Sequence, residues 1–175
     1  MGHEAQVYPH NDLLNLAYYH KGVVEKKVAE ANREAIALDC MSCLIALAFS
    51  VEAIANFVGF KAIAKWNERA SYKDKMVVLG KNLGFEFNPS KEPYSALQIL
   101  KIIRDQMAHG KPIEVKAEIS DREALRYAMA TPWDEYLNPK FVKQAFEQVK
   151  FFEKMLLELA NIPLMDTFTS GTAMW

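Results

Sequence analysis

Apolar residues recur along most of this chain at intervals of three and four, the spacing that lines one face of an α-helix. A first helix is expected from a cap at Asn11 or Asp12 to about Lys27. A second, over about Ala31 to Val58, carries Ile36, Cys40, Cys43, Leu44, Leu47, Val51, Ile54 and Phe57 on its stripe, and the two are continuous or bent near Asn32. A third segment, Lys61 to Leu83, is more broken and stops at Gly84, with a loop over Phe85 to Lys91. Pro93 fits the first turn of a fourth helix, where its missing N–H would be unsatisfied anyway. Leu97, Leu100, Ile103 and Met107 continue that helix to about His109. Gly110 is expected to close it in a left-handed turn, and Pro112 prevents its continuation.

Beyond this point the period changes. Ile113 to Ile119 alternates apolar and polar at every position, a strand-like pattern without an obvious partner, and reads as an extended connector or a short hairpin strand. Ser120 and Glu123 form a capping box for a short helix to about Ala130, and Thr131 to Leu137 is a loop. Asn138-Pro139 caps a last helix to about Ala160, with Val142, Ala145, Phe146, Val149, Phe152, Leu156 and Leu159 in its stripe. Pro163 ends it. Residues 164–175 read as a C-terminal tail that is mobile unless Phe168 or Trp175 docks. The expected architecture is therefore all-α: one domain over residues 1–163, an up-and-down bundle of four to five helices. Phe151, Phe152 and Met155 widen the last stripe beyond one seam, which points to a homodimer.

Composition narrows the function. The chain has 175 residues, 51% of them hydrophobic, enough for one real core. A net charge of −1 excludes the broad basic surface of a protein that coats nucleic acid, so any such contact is local. The N-terminus lacks a basic stretch followed by an apolar one, so no secretory signal is expected. The apolar run from Cys40 to Phe60 is long enough to span a membrane, but Glu52 and Asn56 interrupt it. A mid-span carboxylate costs ~3 kcal/mol on insertion scales, so a buried bundle helix with no membrane contact is the expectation. Cys40 and Cys43 form one C-x-x-C without a second pair at metal-ligand spacing; they read as small core residues of a cytoplasmic protein.

The chemistry concentrates in Arg104-Asp105-Gln106-Met107-Ala108-His109, followed by Gly110. Arg104 lies four residues after Leu100 and seven after Leu97, on or beside the core-facing stripe. A guanidinium there needs a partner: Glu52 or Asn56 of the second helix, Asp105 of a facing copy, or a bound phosphate. His109 is turned ~140° from Arg104 on an ideal helix. The two converge only if the last turn loosens or two copies meet across a symmetry axis. A histidine can exchange a proton with a ribose hydroxyl or a leaving oxygen, and an arginine can hold a phosphate and its developing charge. No carboxylate cluster at metal-ligand spacing appears, so neither a metal nor another cofactor is invoked. Spacing alone favours a structural role, since cations favour helix C-termini and His-Gly is a common ending.

Arg104, the polar Asp105 and His109, at the end of a helix in an all-α bundle, resemble the signature of the HEPN superfamily. Leu100, Ile102 and Ile103 before it and Gly110 after it fit the same pattern, and the segment Phe49 to Asn56 is similar to the family helix that carries a Glu facing the motif. The likeness covers Ala31 to Pro112, and the last helix by pattern only. It implies a dimer that brings two motifs together and, in many members, metal-independent cleavage of RNA. Such members act as toxins, in phage defence or in RNA processing, some with a nucleotidyltransferase antitoxin. Other members are non-catalytic nucleotide-binding or protein-interaction modules, the alternative for this chain. On the first reading Arg104 and His109 are catalytic, Asp105, Glu52 and Asn56 support them, and Lys101 and Lys111, with Lys116, form a substrate rim. Against the rim stand Glu114 and Glu118, which would make these ordinary solvated lysines. Tyr18, Tyr19 and His20 either stack on bases or pack; Trp66 and Trp133 read as anchors; His3 and His10 fall in a frayed terminus with no role.

Overall fold

Pro9 rather than Asn11 opens the first helix of the computed structural model, which describes residues 3–112, 114 and 121–173. Helix α1 (Pro9–Ala29) starts on the pre-set φ of proline with no side-chain cap. Asn11 instead sits inside its first turn, where Nδ2 donates to the Thr167 carbonyl at 2.6 Å. Ala31 and Ala35 adopt φ of 52° and 51°, so the chain reverses and α2 (Ile36–Ala62) begins later than Ala31. The two helices pack as a hairpin, tied at its tip by Lys27 to Asp39.

Helix α2 is the centre of the bundle and packs against α1, α3, α4 and α6. It is long and apolar enough to cross a membrane, yet 67% of its most apolar window is buried inside the fold, as a core helix requires. Cys40 and Cys43 lie in that core as free thiols, and Cys43 Sγ donates to the Ala17 carbonyl at 3.3 Å. Burial raises their pKa values to about 11 and about 12, which keeps them protonated and unreactive.

Helix α3 (Tyr72–Leu83) is shorter than the pattern suggested. The chain leaves helical geometry after Ala62, and Ser71 Oγ caps the restart by accepting from Asp74 N. Gly84, at φ 80°, closes it as expected. Helix α4 (Tyr94–Ala108) follows a cis Glu92–Pro93 bond and ends at His109. Gly110 is not left-handed, contrary to expectation. Glycine is needed there for close approach: a Cβ at Gly110 would lie 2.6 Å from the Gln106 carbonyl oxygen.

The expected connector over Ile113 to Ile119, Lys116 and the Ser120 cap lie outside the described residues, apart from Glu114. Asp121 caps α5 (Arg122–Ala128), its Oδ1 accepting from Glu123 N and Ala124 N. Helix α6 (Pro139–Leu159) starts where the sequence placed it, with Asn138 Oδ1 accepting from Phe141 N. Its Phe152 is fully buried in the core of one copy and Met155 is half-buried, so of the three residues expected to widen its stripe only Phe151 is largely exposed.

The two ends of the described chain pair with each other, where a frayed start and a free tail were expected. Strand β1 (His3–Gln6) pairs antiparallel with β2 (Ser170–Ala173), His3 opposite Ala173 and Gln6 opposite Ser170. A 3-10 turn over Leu164–Thr167 leads into the ribbon. Each strand satisfies backbone groups of the other, and His10 just beyond β1 is 2% exposed rather than frayed. The fold is an all-α bundle of four long and two short helices among the described residues, with this ribbon tying its ends.

Candidate functional site

Arg104 projects from the last turn of α4 toward the middle of α2. Its Nη1 donates to Glu52 Oε2 at 2.5 Å, and its Nε and Nη2 donate to Asp105 Oδ1 at 3.0 and 2.8 Å. Of the partners the sequence allowed, Glu52 takes the guanidinium; the second partner is the same copy's Asp105, where the sequence had suggested that of a facing copy. These bonds use three of the five N–H donors, and 19% of the side chain stays accessible.

Two lysines extend the pairing at either end. Lys75 of α3 donates to Glu52 Oε1 at 2.7 Å, and Lys101 donates to Asp105 Oδ2 at 2.5 Å. The result is a ladder, Lys75–Glu52–Arg104–Asp105–Lys101, in which three cations face two carboxylates and one positive charge is left over. Burial alone would raise both carboxylate pKa values. Hydrogen bonds from Lys75 and Arg104 outweigh it at Glu52, and those from Lys101 and Arg104 at Asp105, so both are held below their ordinary range. Burial opposes the charge on Arg104, but Asp105 and Glu52 more than offset it and raise its pKa.

Lys75 was not foreseen, and its side chain is 1% exposed. A signal was present: it lies three residues after Tyr72 and four before Leu79, on the buried stripe of α3. Tyr72 was missed for the same reason. Its hydroxyl is buried with no hydrogen-bond partner, and burial drives its pKa upward against the opposing pull of Arg104.

The other sequence candidates are dispersed. His109 is exposed at the α4 C-cap, and among the described residues no hydrogen bond or ion pair joins it to Arg104. Asn56, one turn beyond Glu52, accepts from Trp66 Nε1 at 3.2 Å instead of supporting Arg104. Lys101 is engaged by Asp105, and Lys111 is exposed. Tyr18 and Tyr19 are each 66% exposed on α1, and Trp133 is half-buried. Among the described residues no group of three or more His, Cys, Asp or Glu side chains is placed to hold a metal ion.

Glu52 also has a second surface. Its side chain is 32% accessible, and the residue lines a groove of about 750 Å³ between the start of α1 and the second half of α2. Phe49, Phe57, Phe60 and Trp66 form much of the wall, with Asn56 beside Glu52. Trp66 lies flat on α2 because Gly59 has no side chain: a Cβ there would be 2.2 Å from the indole. The site therefore joins a partly accessible guanidinium, a shared carboxylate and an aromatic groove. Comparison of the chain with protein-family models, curated proteins and solved structures found no match.

Proposed function

We propose that this protein is a metal-independent endoribonuclease of the HEPN type, acting as a cytoplasmic homodimer in toxin, defence or RNA-processing roles. The observation that carries the reading is Arg104, oriented by carboxylates from two directions yet still accessible, at the helix end that His109 closes. Two uncommitted N–H groups remain to bind a phosphate oxygen. His109, exposed at the helix end, removes the 2′-hydroxyl proton. The 2′-oxygen attacks phosphorus, the P–O5′ bond breaks, and the same histidine of the second copy protonates the departing oxygen. Dimerisation brings the two motifs together, since one copy alone leaves Arg104 and His109 unlinked. A nucleotidyltransferase-type antitoxin is the partner this reading implies. Purified full-length protein should cut labelled single-stranded RNA in EDTA, and Arg104→Ala or His109→Ala should abolish cutting. Wild-type cleavage by both variants would reject the proposal.

A second reading draws on a specific observation: the protein's own carboxylates already occupy three Arg104 donors. On it, the ladder is structural and the protein is a non-catalytic nucleotide-binding or interaction module. It predicts no cleavage, together with a nucleotide-dependent rise in melting temperature or a co-purifying partner.

A further inference from the structure

We propose that the aromatic groove beside Glu52 is a nucleobase subsite selective for guanine. This rests on the RNA-cleaving reading for its biological sense, but the groove chemistry stands by itself. Glu52 and Asn56 are four residues apart on α2, share one face of that helix, and both line the groove. Trp66 Nε1 can only donate, so its bond fixes Asn56 with Oδ1 toward the indole and leaves Nδ2 as the donor available to a ligand. Each Glu52 oxygen accepts one protein donor and keeps a further lone pair. To the groove lining Glu52 thus contributes a two-oxygen acceptor and Asn56 an amide donor.

The charge balance decides which ligand fits these groups. Lys75 and Arg104 already hold Glu52, and the ladder as a whole carries an excess positive charge, so a cationic amine is disfavoured there. A neutral group with paired donors is favoured. Guanine is the one common base whose pairing edge carries two adjacent donors, N1–H and the N2 amino group, next to an acceptor, O6. Adenine, cytosine and uracil can each satisfy only part of it. Aromatic walls supply the rest, because every base stacks on an aromatic face and the groove is large enough for a nucleoside.

The test is binding of guanosine, adenosine, cytidine and uridine monophosphates to the full-length protein, measured by calorimetry, with RNA cleavage in EDTA followed on the same sample. Guanosine monophosphate should bind at least about tenfold more tightly than the other three. Phe60→Ala removes a ring that is 75% exposed, so folding is preserved. It should weaken guanosine monophosphate by between about fivefold and about a hundredfold, the usual effect of losing one stacking ring. Equal affinity for all four nucleotides, or guanosine monophosphate binding unchanged by Phe60→Ala, overturns the subsite. Cleavage without any preference for guanine at the cut overturns the subsite and leaves the nuclease reading standing. Guanine-selective, Phe60-dependent binding without cleavage does the reverse.

Discussion

Glu52 and Arg104 meet across the α2–α4 interface, Oε2 accepting from Nη1 at 2.5 Å although 52 positions separate them in the chain. The same carboxylate neutralises Lys75, whose ammonium is almost fully withdrawn from water. One acidic side chain therefore orients the candidate phosphate-binding arginine and keeps a buried cation paired.

The consequence for stability is asymmetric. Glu52→Ala strands Lys75 inside the fold, and breaking a buried pair from one side costs roughly 3–5 kcal/mol. Because Glu52 is about a third accessible, water can partly reach the orphaned charges, and a loss of about 2–3 kcal/mol is expected. Lys75→Met should cost less, since Glu52 retains Arg104 and the new side chain suits the apolar stripe. Urea unfolding of the three proteins at neutral pH measures the order, and equal midpoints for the two variants would contradict it.

Acid should destabilise the protein in two stages. His10 is buried against Phe57, with ring centroids 4.5 Å apart, and its Nδ1 has no partner. Burial lowers its pKa below 6.5, outweighing Glu153, which opposes, while Lys150 adds to the lowering. The unfolded chain takes up this proton first, so stability is full above pH 6.5 and falls as pH drops from 6.5 toward the lowered folded value. Glu52 and Asp105 are likewise depressed, from 4.5 and 3.8, so their contribution is present above those values and is lost as pH falls through the folded ones. His10→Asn should flatten the first stage and leave the second. Unfolding free energies measured from pH 8 to pH 3 test this, and an unchanged upper slope in His10→Asn would refute the assignment.

Arg104→Lys separates catalysis from folding. A lysine keeps the charge and can reach Glu52 or Asp105, but it loses the planar fork that contacts both carboxylates and still offers free N–H groups. On the nuclease reading, cleavage in EDTA should fall by about 10²–10³, the usual cost of losing one preorganised donor to developing charge. The melting temperature should move only slightly. A variant that cuts RNA at the wild-type rate would show that the guanidinium geometry is not used.

How far the sequence revealed these features depends on whether each signal is local. The Asn138 cap and the stripe of α6 are contained within a few turns, and the helix appears where they place it. The pairing of Glu52 with Arg104 was legible because each is a charge on an apolar face that must find a partner. Lys75 was hidden because the helix carrying it starts at Tyr72, not near Lys61, so its place on the buried stripe was lost. The pairing of β1 with β2 joins opposite ends of the chain through four residues each, too short to show a period. Gly110 gave a misleading sign because glycine serves close approach there as well as it serves positive φ elsewhere.

The contact between Gly59 and Trp66 gives the sharpest test of the groove. An alanine at position 59 is a better helix former than glycine, by about 1 kcal/mol in an exposed helix interior. Its methyl group, however, would fall 2.2 Å from Trp66 Cδ2, well inside van der Waals contact. The indole must therefore swing away from α2, giving up its hydrogen bond to Asn56 and its cover over the groove. Overpacking of this kind costs about 1–3 kcal/mol, so after the gain in propensity Gly59→Ala should be net destabilising by up to about 2 kcal/mol. Tryptophan emission should shift to the red and become more open to acrylamide quenching as Trp66 meets water. Trp66→Phe isolates that contribution from Trp133 and Trp175. If Gly59→Ala leaves the Trp66 component of the emission where it was and raises the melting temperature, the indole does not rest on Gly59, and the groove wall it forms is not as described.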